Sequence, residues 1–149
     1  MRHSKLWQDL HSGALRLHYG LILQALNGIG MKLNATISAS EFDEHYEMAL
    51  VYCFDKAKNY CFSLTRFPDS EEIEIMVLDQ VNHRVDDLSV VLKSNSIEVS
   101  LIEETSKNLD GNASYSIAFD PSDMDINELG KALEKIFEGK NGFTNESTI

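Results

Sequence analysis

Proline and cysteine are scarce in this chain of 149 residues, which contains two of each. Two prolines, Pro68 and Pro121, are too few for a Pro-rich linker that would separate domains. Two cysteines cannot build a disulfide framework, and they lack the spacing of a zinc site. We therefore expect residues 1–140 to form a single domain and residues 141–149 to be a frayed tail.

Long apolar runs are also missing. The most apolar segment, residues 15–26, is interrupted by Arg16, His18, Gly20 and Gln24, so it is too polar to span a membrane. The first residues of the chain lack the apolar core of a signal peptide. From these two absences we expect a cytoplasmic protein with no membrane partner.

Motifs that carry catalytic or cofactor chemistry are absent as well. The sequence contains no G-x-S-x-G nucleophile elbow, no phosphate-binding glycine loop and no H-E-x-x-H zinc motif. The spacing of its acidic residues does not match a calcium loop. The sequence therefore predicts a protein that is not an enzyme and that has no metal and no cofactor. A small enzyme or ligand-binding domain without a recognisable motif stands as the third functional hypothesis, after two binding functions.

A strong separation of charge is the most informative feature that the sequence does have. Residues 1–36 carry four basic and one acidic side chain, a net charge of +3, whereas residues 37–149 carry 9 basic and 23 acidic side chains, a net charge of −14. An acidic surface of this kind repels nucleic-acid phosphates and attracts cationic protein surfaces. We therefore expect a basic partner protein and no nucleic acid.

Carboxylates cluster around several predicted turns, and these clusters provide the candidate partner-binding residues. A cluster at a single turn is also typical of a solvated loop edge, but the excess of acid over the whole segment favours a binding surface. The candidate partner-binding residues are Glu44, Glu47, Glu72, Glu74, Asp86 and Asp87.

The hydrophobic periodicity predicts an α+β fold with an N-terminal helix, an antiparallel sheet of about six to seven strands and a C-terminal amphipathic helix. Residues 4–27 carry a helical stripe; residues 15–23 also alternate as a strand would, but the length of the pattern favours a helix. From Met31 onwards the period is 2, with one face of the sheet expected to pack on the two helices. Asp125 followed by Glu128 is a capping box that predicts the start of the last helix.

Two alternating runs around residues 46–64 predict a hairpin with a five-residue loop at residues 55–59. This register places Phe54 opposite Tyr60 and Cys53 opposite Cys61. The two cysteines would then form a cross-strand pair within reach of a disulfide, although a reducing cytoplasm would keep them as thiols.

The order of elements resembles that of a known family. The elements that carry the resemblance are a helix ending at Leu26-Asn27-Gly28-Ile29-Gly30-Met31, three strands over residues 50–78, and a last strand followed by Asp-Pro and an amphipathic helix. Their order is similar to that of the class I type III secretion chaperones. The resemblance implies an acidic protein that is not an enzyme and that forms a homodimer. Such a protein holds an effector segment in extended form. The family has a helix after the third strand, where residues 86–102 here read as two strands. The competing hypothesis is a bacterial toxin immunity protein, a class that is also small, acidic and non-enzymatic.

Overall fold

The structure of the protein is a computed structural model that describes residues 30–147. These residues form two five-stranded sheets and two helices, so the fold class is α+β as the sequence predicts. The N-terminal helix predicted over residues 4–27 lies outside the described residues, and the single domain predicted for residues 1–140 therefore stays a prediction. The strands are β1 (Met31–Asn34), β2 (Thr36–Asp43), β3 (Met48–Asp55), β4 (Tyr60–Arg66), β5 (Ile73–Val77), β6 (Val81–Val85), β7 (Ser89–Leu92), β8 (Ser96–Ser100), β9 (Ser114–Ala118) and β10 (Phe143–Asn145), and the helices are α1 (Glu103–Lys107) and α2 (Ile126–Ile136).

The prediction of a single sheet is wrong. Sheet A has the order β1-β9-β8-β7-β10, with parallel pairing at both edges, and sheet B is an antiparallel meander in the order β2-β3-β4-β5-β6. The chain passes from sheet A to sheet B at Ala35, whose N–H still donates to the carbonyl oxygen of Ala118 on the β9 side at 2.8 Å. The side-chain alternation continues through Ala35 without a break, so the change of sheet leaves no mark in the hydrophobic pattern.

The two sheets face each other and share one core with α2. The rings of Phe62 on β4 and Tyr115 on β9 lie 4.7 Å apart between centroids, which joins sheet B to sheet A at its centre. Helix α2 packs on β2 and β3 and buries Leu129, Leu133 and Ile136 completely. The N-terminal cap of α2 is confirmed, because the carboxylate of Asp125 accepts hydrogen bonds from the first-turn N–H groups.

The hairpin of β3 and β4 confirms the predicted strands but corrects their register. Cys53 lies opposite Phe62, and Phe54 lies opposite Cys61. The predicted pairs, Cys53 with Cys61 and Phe54 with Tyr60, are therefore wrong by one position. Because a shift of one residue moves a side chain to the other face of a sheet, the two thiols lie on opposite faces.

The one-residue shift arises in the loop, which has four residues instead of five. Asp55 pairs with Tyr60 as the last residues of the two strands. Oδ1 of Asp55 accepts a hydrogen bond from the N–H of Lys58 at 3.0 Å, and Asn59 adopts a left-handed conformation with φ of 52°. Asparagine tolerates this conformation better than most residues, so the chain reverses in one residue fewer.

Three further elements were not predicted. Strand β6 has only five residues and a mixed polar and apolar sequence, and α1 has five residues within a polar stretch that predicts a loop. Strand β10 lies at residues 143–145, where the sequence predicts a frayed tail, and it pairs with β7. Such short elements are stabilised by the neighbours they pair with, so a local sequence pattern does not identify them.

Candidate protein-binding surface

The topology of sheet B brings three acidic segments to one end of the sheet. The turn between β2 and β3 precedes Ala49, which pairs with Arg66 at the end of β4. The loop between β4 and β5 leads into Ile73, which pairs with Val85 at the end of β6. We call this the acidic end of sheet B, and it consists of Glu41, Asp43, Glu44, Glu47, Asp69, Glu71, Glu72, Asp86 and Asp87.

Five of the six predicted partner-binding residues lie at the acidic end with exposed side chains, and the fifth of them, Asp87, is bonded to the backbone. Glu44 and Glu47 occupy the β2–β3 turn, Glu72 directly precedes β5, and Asp86 directly follows β6. Within residues 30–147 none of these four carboxylates forms an ion pair. They are therefore available to a partner at this end of the sheet.

Two of the six predicted residues, Glu74 and Asp87, are engaged within the protein. Glu74 lies inside β5, where Arg84 is 3.7 Å away and the side-chain amide of Asn82 donates a hydrogen bond at 2.9 Å. The carboxylate of Asp87 accepts hydrogen bonds from the N–H of Leu88 at 2.9 Å and of Asn141 at 3.1 Å. Asp87 thus binds the backbone of the segment before β10, and the negative charge of Glu74 is partly balanced by Arg84.

Exposed aromatic side chains accompany the carboxylates, and the sequence analysis missed them. Phe42 is 49% exposed, Tyr46 56% and Phe67 43%, and all three lie beside the acidic end. In the described part of the chain the only other large apolar side chain exposed to this degree is Ile102. The signal was present in the sequence, because Phe42 and Tyr46 lie among four carboxylates over residues 41–47.

Two cations beside the acidic end, Arg66 and Lys140, are bound to backbone carbonyl groups. The guanidinium group of Arg66 donates to the carbonyl oxygens of Ser70 at 2.9 Å, Ile136 at 2.9 Å and Glu138 at 2.6 Å. The ammonium group of Lys140 donates to the carbonyl oxygen of Glu71 at 2.6 Å. Arg66 therefore attaches the carboxyl end of α2 to sheet B. Within residues 30–147 neither cation forms an ion pair with the exposed carboxylates.

The β2–β3 turn is held by its own first residue. Oδ1 of Asp43 accepts hydrogen bonds from the N–H groups of His45 at 2.9 Å and Tyr46 at 3.0 Å. Glu47 is the last residue of the turn and adopts the left-handed conformation with φ of 57°, which is unfavourable for a residue that has a side chain. The turn thus presents Glu44, Tyr46 and Glu47 on a defined backbone.

The opposite end of sheet B carries exposed lysines. Lys56 and Lys58 lie in the β3–β4 turn with Lys32 of β1 beside them, and Asp79 in the β5–β6 turn is an exposed carboxylate at the same end, which we call the lysine end. Asp55, the other carboxylate of sheet B at this end, is almost completely buried at 1% exposure. Hydrogen bonds from the N–H groups of Asn34 and Lys58 lower the pKa of Asp55. This carboxylate therefore serves the fold, since its oxygens are already used by the backbone.

A second buried carboxylate lies near the lysine end. Asp110 accepts hydrogen bonds from the hydroxyl groups of Tyr60 and of Tyr115, the latter at 2.7 Å, and from the side-chain amide of Asn112 at 3.2 Å. Burial raises the pKa of both tyrosines, so they stay protonated donors. The cluster connects the loop after α1 to both sheets, and the side chains of Tyr60, Asp110 and Tyr115 are buried.

The two cysteines are structural. Cys53 is fully buried in the core, and burial raises the pKa of its thiol to about 12. Cys61 lies on the other face of sheet B, where its sulfur accepts a hydrogen bond from the N–H of Asp79 at 3.1 Å. Burial also raises the pKa of the Cys61 thiol. Thiols of this kind are poor nucleophiles.

Residues 30–147 contain no group of three or more His, Cys, Asp or Glu side chains placed to hold a metal ion. None of the helices in that part of the chain has the length and apolar character needed to cross a membrane.

No family model, curated protein or solved structure matches this chain.

Proposed function

We propose that the protein is a non-enzymatic binding module whose acidic end binds a basic surface of a partner protein. The observation that carries the proposal is the combination, at one end of sheet B, of exposed carboxylates and the exposed aromatic side chains of Phe42, Tyr46 and Phe67. Interfaces between proteins are typically formed by aromatic anchors at the centre and charged residues at the rim.

A purely solvated surface accounts for the carboxylates but not for the aromatic residues. Burying an aromatic side chain against a partner removes apolar area from water, which favours binding, whereas leaving it exposed gives no such gain. The surrounding carboxylates would steer a cationic partner towards this surface and exclude acidic ones. The two features together support binding of a protein in preference to a small cation.

Neutralisation of a basic toxin, the role of an immunity protein, is the form of this function that we favour. The acidic end is built on three chain segments that the strands of sheet B hold side by side, and such a preformed surface suits a folded partner domain. Escort of an effector segment, the role of a secretion chaperone, is the alternative. It would place an extended segment along the protein, and residues 86–102, where the resemblance places that family's helix after the third strand, contain the strands β7 and β8.

Affinity capture with a matched pair of variants tests the proposal. The tagged full chain is incubated with lysate of the source organism, washed at stepped salt concentrations, and the retained proteins are identified by mass spectrometry. The test variant is E44Q/E47Q/E72Q. The control variant, E104Q/D123N/E128Q, removes the same number of exposed carboxylates from α1, α2 and the turn before α2.

We expect a basic protein that is released by moderate salt and that binds the control variant as tightly as the original chain. Each exposed charge contributes up to about 1 kcal/mol at low salt, so the test variant should bind this partner roughly tenfold or more weakly. Equal loss in the two variants would refute the assignment to the acidic end. A compact complex with a folded partner would favour the immunity role, and a dimer around an extended segment would favour the chaperone role.

A further inference from the structure

The edge strands of the two sheets differ in how they are protected. Edge strands offer unpaired backbone groups to other chains, and proteins limit this by shortening, bulging or covering them. β1 and β10 have four and three residues, and β2 has a register shift between Ser40 and Asp43 and packs against α2. β6 has five residues in regular antiparallel register with β5, and it has no second neighbour among the strands of residues 30–147.

The core is incomplete beside β6. On β5 the core-facing side chains of Ile73, Ile75 and Val77 are fully buried. Their partners on the core-facing side of β6, Val85, His83 and Val81 in the same order, are only half-buried. A further strand added next to β6 would bury the two valines more completely and would pair the free backbone groups of the edge.

The sequence of β6 is symmetric in its pattern about His83. It reads Val-Asn-His-Arg-Val, with a valine at each end and one polar residue on either side of the histidine. In an antiparallel pair centred on His83, Val81 lies opposite Val85 of the second copy. Asn82 likewise lies opposite Arg84 of the second copy, so no like charges are opposed within the strand.

We propose that β6 is an interface between two copies of this chain, which pair antiparallel about His83 and join their B sheets into one ten-stranded sheet. The same surface on both copies is then used, as a two-fold symmetric dimer requires. The strand itself carries Arg84 and no carboxylate, so repulsion between the two acidic chains is confined to the ends of the pair, where Asp79 lies opposite Asp87 of the second copy. This interface does not depend on the proposed function of the acidic end.

Sedimentation of the full chain over a range of concentrations measures the dissociation constant of the dimer. The variant N82K tests the register in which the two β6 strands pair. A lysine at position 82 would lie opposite Arg84 of the second copy at two symmetric places, so we expect the dissociation constant to rise about tenfold. Within its own chain the new lysine would lie near Glu74, so the fold is not opposed. The control S38K adds the same charge to the exposed side of β2 and should leave the dimer unchanged.

A cysteine placed at position 83 gives a second readout. In the proposed register His83 lies opposite His83 of the second copy, so H83C should form an intermolecular disulfide on oxidation. N82C should not, because the two residues at position 82 are displaced by two positions along the paired strands. The proposal is overturned if the original chain is monomeric at all concentrations. It is also overturned if the dimer is insensitive to N82K, or if H83C and N82C form disulfides equally.

Discussion

The two hairpin turns at the ends of β3 share one backbone design and carry opposite charges. Each begins with an aspartate, Asp43 or Asp55, whose Oδ1 accepts the N–H of the third residue after it. Each ends with a residue in the left-handed conformation, Glu47 in one turn and Asn59 in the other. Between these positions the first turn carries Glu44 and Tyr46, and the second carries two lysines.

The comparison shows which residues serve the turn and which do not. The aspartate and the left-handed residue determine the backbone, and asparagine at the left-handed position is the favourable choice. Glu47 is not the favourable choice, so the β2–β3 turn is less stable than its sequence could make it. A residue that opposes its local conformation is often retained for a role at the surface, which is how we interpret Glu47.

The two aspartates should differ most in what their loss does to stability. D55N should lower the thermal unfolding midpoint clearly more than D43N at neutral pH, because Asp55 is buried and also bonds the N–H of Asn34 at 2.8 Å. The pKa of Asp55 is lowered in the folded state from 3.8. Its ionised form therefore stabilises the fold above pH ~3.8, and this contribution is lost as the pH falls through the lowered value.

Thermal unfolding of the original chain, D55N and D43N between pH 2 and 7 measures this difference. The midpoints of the original chain and D55N should converge at the acid end of the series. A constant separation at every pH would contradict the stabilising role of the Asp55 charge. Equal effects of D55N and D43N at neutral pH would remove the distinction between the two turns.

The next effect concerns Arg66, which links the acidic end to α2. R66A removes hydrogen bonds to three backbone carbonyls, and we expect a loss of about 2 kcal/mol in the free energy of unfolding. R66K should recover only part of this loss, because an ammonium group cannot reproduce the planar arrangement of donors. Chemical denaturation of the three chains gives the values, and full recovery by lysine would contradict the account.

The smallest effect is a gain in stability. E47G relieves the left-handed conformation and should raise the free energy of unfolding by about 0.5–1 kcal/mol. N59G should change it less, because asparagine already tolerates that conformation. The same denaturation series measures both variants. A loss of stability in E47G would show that the glutamate side chain has contacts that this account omits.

These comparisons also show what the sequence can and cannot reveal. The alternation of Ile73, Ile75 and Val77 and the cap at Asp125 predict their elements correctly, because each pattern is local. The change of sheet at Ala35 and the pairing of β10 with β7 depend on residues distant in sequence, so no local pattern indicates them.

Charge counts have the same limit at the candidate surface. They identify Glu44, Glu47, Glu72 and Asp86, but they do not separate these exposed residues from Asp55 and Asp110, which are buried and serve the fold. They also do not indicate that the acidic segments meet at one end of sheet B, because that meeting depends on the order of the strands.

The most direct test of the account exchanges the two turns. Residues 44–47, Glu-His-Tyr-Glu, are replaced by Lys-Ala-Lys-Asn, and residues 56–59 receive the reverse change, so that composition and net charge remain those of the original chain. The shared backbone design should preserve the fold, which circular dichroism and thermal unfolding check. The measurement is the affinity of the exchanged chain for the basic protein captured by the original chain. We predict that binding is lost, since the carboxylates and Tyr46 no longer lie beside Phe42 and Phe67. An unchanged affinity would contradict the account, because it would mean that overall charge, and not the acidic end, attracts the partner.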